Sequence, residues 1–196
     1  MAECDRTLAQ IEDGIRLLSE HEDAFAAFRF MNRAMHQQRI RTIFVAGKRA
    51  AGDQADSLEE IDQPDNRSWW PFQLAFILAN LPALTLLDHP DRSADPTAAA
   101  DLLWFPTGGG KIEAYLGLTA FTLAIRRLQG TVAGRDGHSG VAVLMRYTLR
   151  LLTLQQFQRA TALICACERI RQDALAGGMG DGAGNPSGSG SGSASG

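Results

Sequence analysis

The chain has 196 residues, of which 45% are hydrophobic, enough for one globular domain with a core. Its net charge of −3 excludes no class of binding partner. Its three cysteines are too few for a disulfide framework and indicate a reducing compartment. With no apolar leader at the start, and with Asn80 and Pro82 interrupting the apolar stretch 72–87, we expect a cytoplasmic protein without a membrane span.

Helical spacing of apolar residues opens the chain and predicts one or two helices over about 4–38, within a helical arm at 1–46. The apolar positions are Leu8, Ile11, Ile15, Leu18, Phe25, Phe28, Met31 and Met35. Residues 47–68 are polar and acidic around Pro64, which predicts a loop or flexible linker.

The region 69–176 is predicted to be an α/β domain. A buried helix should start near Pro71 and a loop should cover 88–97, followed by a strand at 101–105 and a helix at 111–128. A glycine-rich loop at 130–140, a strand at 140–145 and a helix at about 151–176 complete a βαβα unit. Its two strands should be parallel and joined by a crossover helix.

The last segment, 177–196, is rich in Gly and Ser. Such a composition cannot bury apolar area, so we expect a disordered tail.

Residues 104–117 read WFPTGGGKIEAYLG, the pattern of a phosphate-binding loop between a strand and a helix. Glycines let backbone N–H groups point into one concavity, and a helix starting near Lys111 adds positive charge there. The pattern is imperfect, because Phe105 replaces the first glycine and Ile112 replaces the hydroxyl residue that binds Mg²⁺. The alternative is an ordinary glycine turn between a strand and a helix.

Basic residues outnumber acidic ones over 126–171 by eight to two, which favours a polyanion partner. A solvated helix face is the alternative. The eight are Arg126, Arg127, Arg135, Arg146, Arg150, Arg159, Arg169 and Arg171. The four histidines are scattered without ligand spacing, and no metal site is predicted.

Four blocks together resemble the N-terminal part of superfamily 2 helicases of the DEAD/DEAH type, most nearly the helicase subunit of the DISARM anti-phage system. The blocks are 27–35, 69–84, 100–121 and 143–160, in the family's order. The resemblance implies a partial RecA-like domain that binds ATP, and DNA with other defence subunits as partners. It covers about residues 25–172.

The same resemblance implies roles for individual residues. Gln73 matches the glutamine that reads the adenine edge, although a helix-surface glutamine is the plainer interpretation. Motif I covers Thr107, Gly108, Gly109, Gly110, Lys111 and Ile112. Motif Ia covers 146–155, where Arg146, Thr148 and Arg150 would hold nucleic-acid phosphates.

No acidic Walker B pair follows an apolar strand in this sequence, and no catalytic residue is assigned. The sequence therefore predicts a truncated DNA helicase or translocase that binds ATP weakly and with little dependence on Mg²⁺. A non-catalytic module that binds nucleic acid or a partner protein is the alternative. A small nucleotide kinase is disfavoured because it has no use for the motif Ia block.

Overall fold

The structure is a computed structural model that describes residues 2–92, 98, 100–104, 110–146 and 150–178. Over these residues the chain is mainly helical. The longer helices are α1 (Ala2–Glu20), α2 (Glu22–Ala51), α5 (Pro71–Thr85), α6 (Lys111–Gln129) and α7 (Arg150–Gly178). Two short helices, α3 (Leu58–Ile61) and α4 (Pro64–Arg67), lie between α2 and α5, and 3₁₀ turns occupy Gly52–Gln54 and Pro90–Arg92.

Local chemistry sets the helix ends. His21 separates α1 from α2 and caps α2, since its Nδ1 accepts a hydrogen bond of 3.3 Å from the backbone N–H of Ala24. Ser57 and Glu60 form a capping box at α3. Proline at the first position starts α5, where its missing N–H costs nothing.

One core joins the helices. Its largest fully buried side chains come from α2, α5, α6 and α7: Met31, Ile77, Leu81, Leu116, Phe121, Ile125 and Leu163. The first helix packs on α5 through Gly14, where a Cβ atom would lie 2.0 Å from the backbone oxygen of Leu78. The core therefore contains helices from the predicted N-terminal arm and from the region after residue 69. The predicted division of the chain into 1–46, 47–68, 69–176 and 177–196 stays a prediction.

The predicted α/β fold is wrong. The strands of the described residues are β1 (Thr131–Val132) and β2 (Arg135–Asp136), an antiparallel pair, and neither parallel strands nor a RecA-like sheet is present there. Ala133 and Gly134 between them both have positive φ, as tight hairpin turns require.

The two predicted strands contain no strand in their described parts, 101–104 and 140–146. Leu103 and Met145 pack against the core, but Leu102 is 84% exposed and Val141 is 81% exposed. Neither segment has the alternating burial of a strand: within 140–146 the partly buried positions, Ala142 and Met145, are three residues apart. Neither segment has a neighbouring strand among the described residues, and a stable sheet generally needs three or more strands.

The predicted helices are largely confirmed. Helices predicted from near Pro71, over 111–128 and over 151–176 are confirmed by α5, α6 and α7, and the N-terminal helices are confirmed by α1 and α2, which runs on to Ala51. The acidic segment 47–68 contains the end of α2, a 3₁₀ turn and the helices α3 and α4. Residues 179–196 lie outside the described residues.

Candidate phosphate-binding site

Only part of the predicted site can be located. Gln73, Gly110, Lys111, Ile112 and Arg146 are described. The loop residues Thr107, Gly108 and Gly109 lie outside the described residues, as does Thr148. Arg150 begins α7, but its side chain is outside the description.

The start of α6 is described from Gly110 onward. Gly110 is the N-cap, with φ 83° and ψ 18° in the left-handed region, and Lys111 is the first helical residue. The first N–H groups of a helix have no carbonyl partner within it, and the helix dipole adds partial positive charge at the same end. This end of α6 is therefore suited to an anion.

Gln73 connects the start of α5 to the start of α6. Its Nε2 donates a hydrogen bond of 2.7 Å to the carbonyl oxygen of Gly110, and its Oε1 accepts one of 2.9 Å from the backbone N–H of Trp70. The side chain is only 3% exposed. The structure thus joins two parts of the predicted site that are 37 residues apart, with Gln73 holding the N-cap in place. Its adenine contact stays a prediction.

An ion pair that the sequence did not predict also lies at this end of α6. Glu113, in the first turn, accepts a hydrogen bond at Oε1 from Nη1 of Arg159 in α7, at 2.8 Å. Both side chains are partly buried, with exposures of 20% for Glu113 and 33% for Arg159. The two residues are 46 positions apart in the sequence and form no local pattern, so the sequence did not predict this ion pair.

Most of the predicted basic segment is engaged in contacts within the protein. The guanidinium of Arg126 donates to the carbonyl oxygens of Ser139 and Val141, at 2.6 and 2.9 Å, and holds the loop after β2. Arg169 and Arg171 pair with acidic neighbours on α7, Asp173 and Glu168. Arg146 is exposed. The excess positive charge available to a polyanion is therefore smaller than the count suggests.

Hydrogen bonds from Arg171 and Gln172 lower the pKa of the Glu168 carboxyl to about 2. Burial raises the pKa of the Cys167 thiol to about 11. Neither group lies at the start of α6.

A groove of about 420 Å³ lies between the second half of α6, α7 and the segment 137–145, away from the start of α6. Its apolar walls include Leu123, Val141, Val143, Ala160 and Ile164. In the part of the chain that is described, no helix is long and apolar enough to cross a membrane. No group of three His, Cys, Asp or Glu residues in that part is placed to hold a metal ion.

No protein-family model matches the chain. The chain is similar to the DISARM protein DrmA of Bacillus paralicheniformis, with 47% identity over 184 residues. The matched region is 91% of this chain and 15% of the relative, so the chain spans about one seventh of that protein's length. The predicted relation to a DISARM protein is confirmed, while the assignment to superfamily 2 helicases stays a prediction.

Proposed function

We propose that this chain acts in phage defence as part of a DISARM-type system and binds the phosphates of ATP at the start of α6. The sequence similarity to a DISARM protein supports the first half of the proposal. One observation carries the second half. The motif PTGGGK ends where α6 begins, and Gly110, the N-cap, has a left-handed conformation and accepts a hydrogen bond from the buried Gln73.

The chemistry expected at this site is electrostatic. Backbone N–H groups at the start of α6 would donate to phosphate oxygens, and the ammonium group of Lys111 would add a full positive charge. Both attractions weaken as salt is added, because mobile ions screen them.

The described residues at the start of α6 do not fit Mg²⁺. The side chain of Ile112 offers no oxygen, and the carboxylate of the first turn, Glu113, is already paired with Arg159. A hard cation needs several oxygen ligands. We therefore propose ATP binding that depends little on Mg²⁺, and no hydrolysis step is assigned to this chain.

A wider role as part of an ATP-dependent DNA helicase or translocase is proposed from the family resemblance. In that role the exposed Arg146, together with Thr148 and Arg150, would hold the phosphates of a DNA strand.

Titration with a fluorescent ATP analogue tests the proposal directly. The unmodified chain should bind it equally with Mg²⁺ and with EDTA, and Lys111→Ala should lower the affinity by roughly tenfold or more, because a charged hydrogen bond to phosphate contributes about 1.5–3 kcal/mol. Ile112→Thr should restore part of the Mg²⁺ dependence without phosphate release. Equal binding by the unmodified chain and Lys111→Ala would contradict the proposal.

The second candidate is a non-catalytic module that binds nucleic acid or a partner protein. Large apolar side chains exposed on the described loops favour a protein partner: Leu102, Trp104, Val141 and Leu144 are each at least 80% exposed. This candidate predicts partner or DNA binding that is unchanged in Lys111→Ala.

A further inference from the structure

The Glu113 carboxylate lies close to the proposed phosphate site. Glu113 is three residues after Gly110, and its Oε2 is 3.7 Å from the position that a Cβ atom on Gly110 would occupy. Oε2 is buried and has no hydrogen-bond partner among the described residues. A negative charge therefore sits next to the end of α6 where a polyphosphate would bind.

Such a carboxylate would repel phosphate if it were alone. Like charges a few ångströms apart interact strongly when they are shielded from water, and buried charges are screened little by salt. Arg159 supplies the compensating charge at 2.8 Å, and it comes from a different helix, α7.

We infer that Arg159 is a positioning residue for the phosphate site: it neutralises Glu113 so that an anion can approach the start of α6. The inference rests on the proposed function. It also implies a link between two regions, because Arg159 lies in the helix that continues from the predicted motif Ia. A displacement of α7 that withdraws Arg159 would uncover the Glu113 charge and weaken phosphate binding.

A purely structural ion pair makes a different prediction. Removing one partner of a partly buried pair also destabilises a protein, whichever partner is removed. In that case, changes at Glu113 and Arg159 would lower the melting temperature without a systematic effect on the affinity for phosphate.

The experiment compares the unmodified chain with Glu113→Gln, Arg159→Met and the double variant Glu113→Gln/Arg159→Met. The fluorescent ATP analogue is titrated in EDTA at low salt, and each variant is checked for folding by circular dichroism. Arg159→Met should lower the affinity about tenfold, the double variant should recover most of the loss, and Glu113→Gln should bind at least as tightly as the unmodified chain. Arg159→Lys, which keeps the charge, should bind nearly normally, and Arg159→Gln, which removes it, replaces Arg159→Met if that variant does not fold.

Two results would overturn the inference: unchanged affinity in a folded variant that lacks the Arg159 charge, or a double variant as weak as Arg159→Met. The Lys111→Ala variant separates this failure from failure of the proposed function. If the unmodified chain binds the analogue through Lys111 while folded Arg159→Met binds equally well, only the inference is wrong. If the unmodified chain binds no analogue, both are wrong.

Discussion

The contact between α1 and α5 makes Gly14 a sharp test of the helical fold. A Cβ atom at Gly14 would lie 2.0 Å from the carbonyl oxygen and 2.7 Å from the carbonyl carbon of Leu78. These are backbone atoms, so no side-chain rotation can relieve the overlap, and α1 and α5 must move apart. Gly14→Ala should therefore disturb the packing of the whole N-terminal helix.

The size of the effect follows from two opposing contributions. Overpacking typically costs about 1–3 kcal/mol, and a backbone clash belongs at the upper end. Alanine is favoured over glycine inside a helix by about 1 kcal/mol, so we expect a net loss of about 2 kcal/mol. For a chain of this size, that loss lowers the melting temperature by roughly 4–8 °C.

Gly47→Ala is the matched control. Gly47 lies within α2, and its Cβ would meet Ala55 at 3.6 Å, an ordinary contact. This change should raise the stability by about 0.5–1 kcal/mol. Thermal and urea unfolding followed by circular dichroism would measure both variants. If Gly14→Ala were as stable as Gly47→Ala, α1 would not pack on α5 as described.

Three further outcomes can be measured on the same chain. Gly110→Ala should lower the free energy of unfolding by about 1–2 kcal/mol, because alanine would have to adopt the left-handed conformation of Gly110. Unchanged stability would contradict the N-cap geometry. Arg126→Ala should speed hydrogen exchange and proteolysis in the loop after β2, whereas Arg127→Ala should not, since its guanidinium bonds only a carbonyl of its own helix among the described contacts. Iodoacetamide at pH 8 should label Cys4 and Cys165 and spare Cys167, because Cys167 is buried and its pKa is raised to about 11, leaving almost no thiolate until the pH approaches that value. Rapid labelling of Cys167 in the folded chain would show that α7 does not pack as described.

The sequence alone determined the main helices. The periodic apolar residues of α1 and α2, the proline at the start of α5, and the Gly110–Lys111 junction at the start of α6 are local signals, and helix hydrogen bonds are local too. The phosphate-loop motif at 104–111 was likewise read from consecutive residues and stays a prediction, because a glycine loop before a helix is a pattern of one short segment.

Tertiary structure decided what could not be read locally. The segments 101–105 and 140–145 have the composition of strands, but a strand forms only when another strand offers hydrogen bonds, and their described parts have none beside them. Gln73 could be matched to a family role, yet its contact with Gly110 depends on the packing of α5 and α6. The Glu113–Arg159 pair depends likewise on how α6 meets α7. These contacts join residues far apart in the chain, and only the packed core brings them within hydrogen-bond distance.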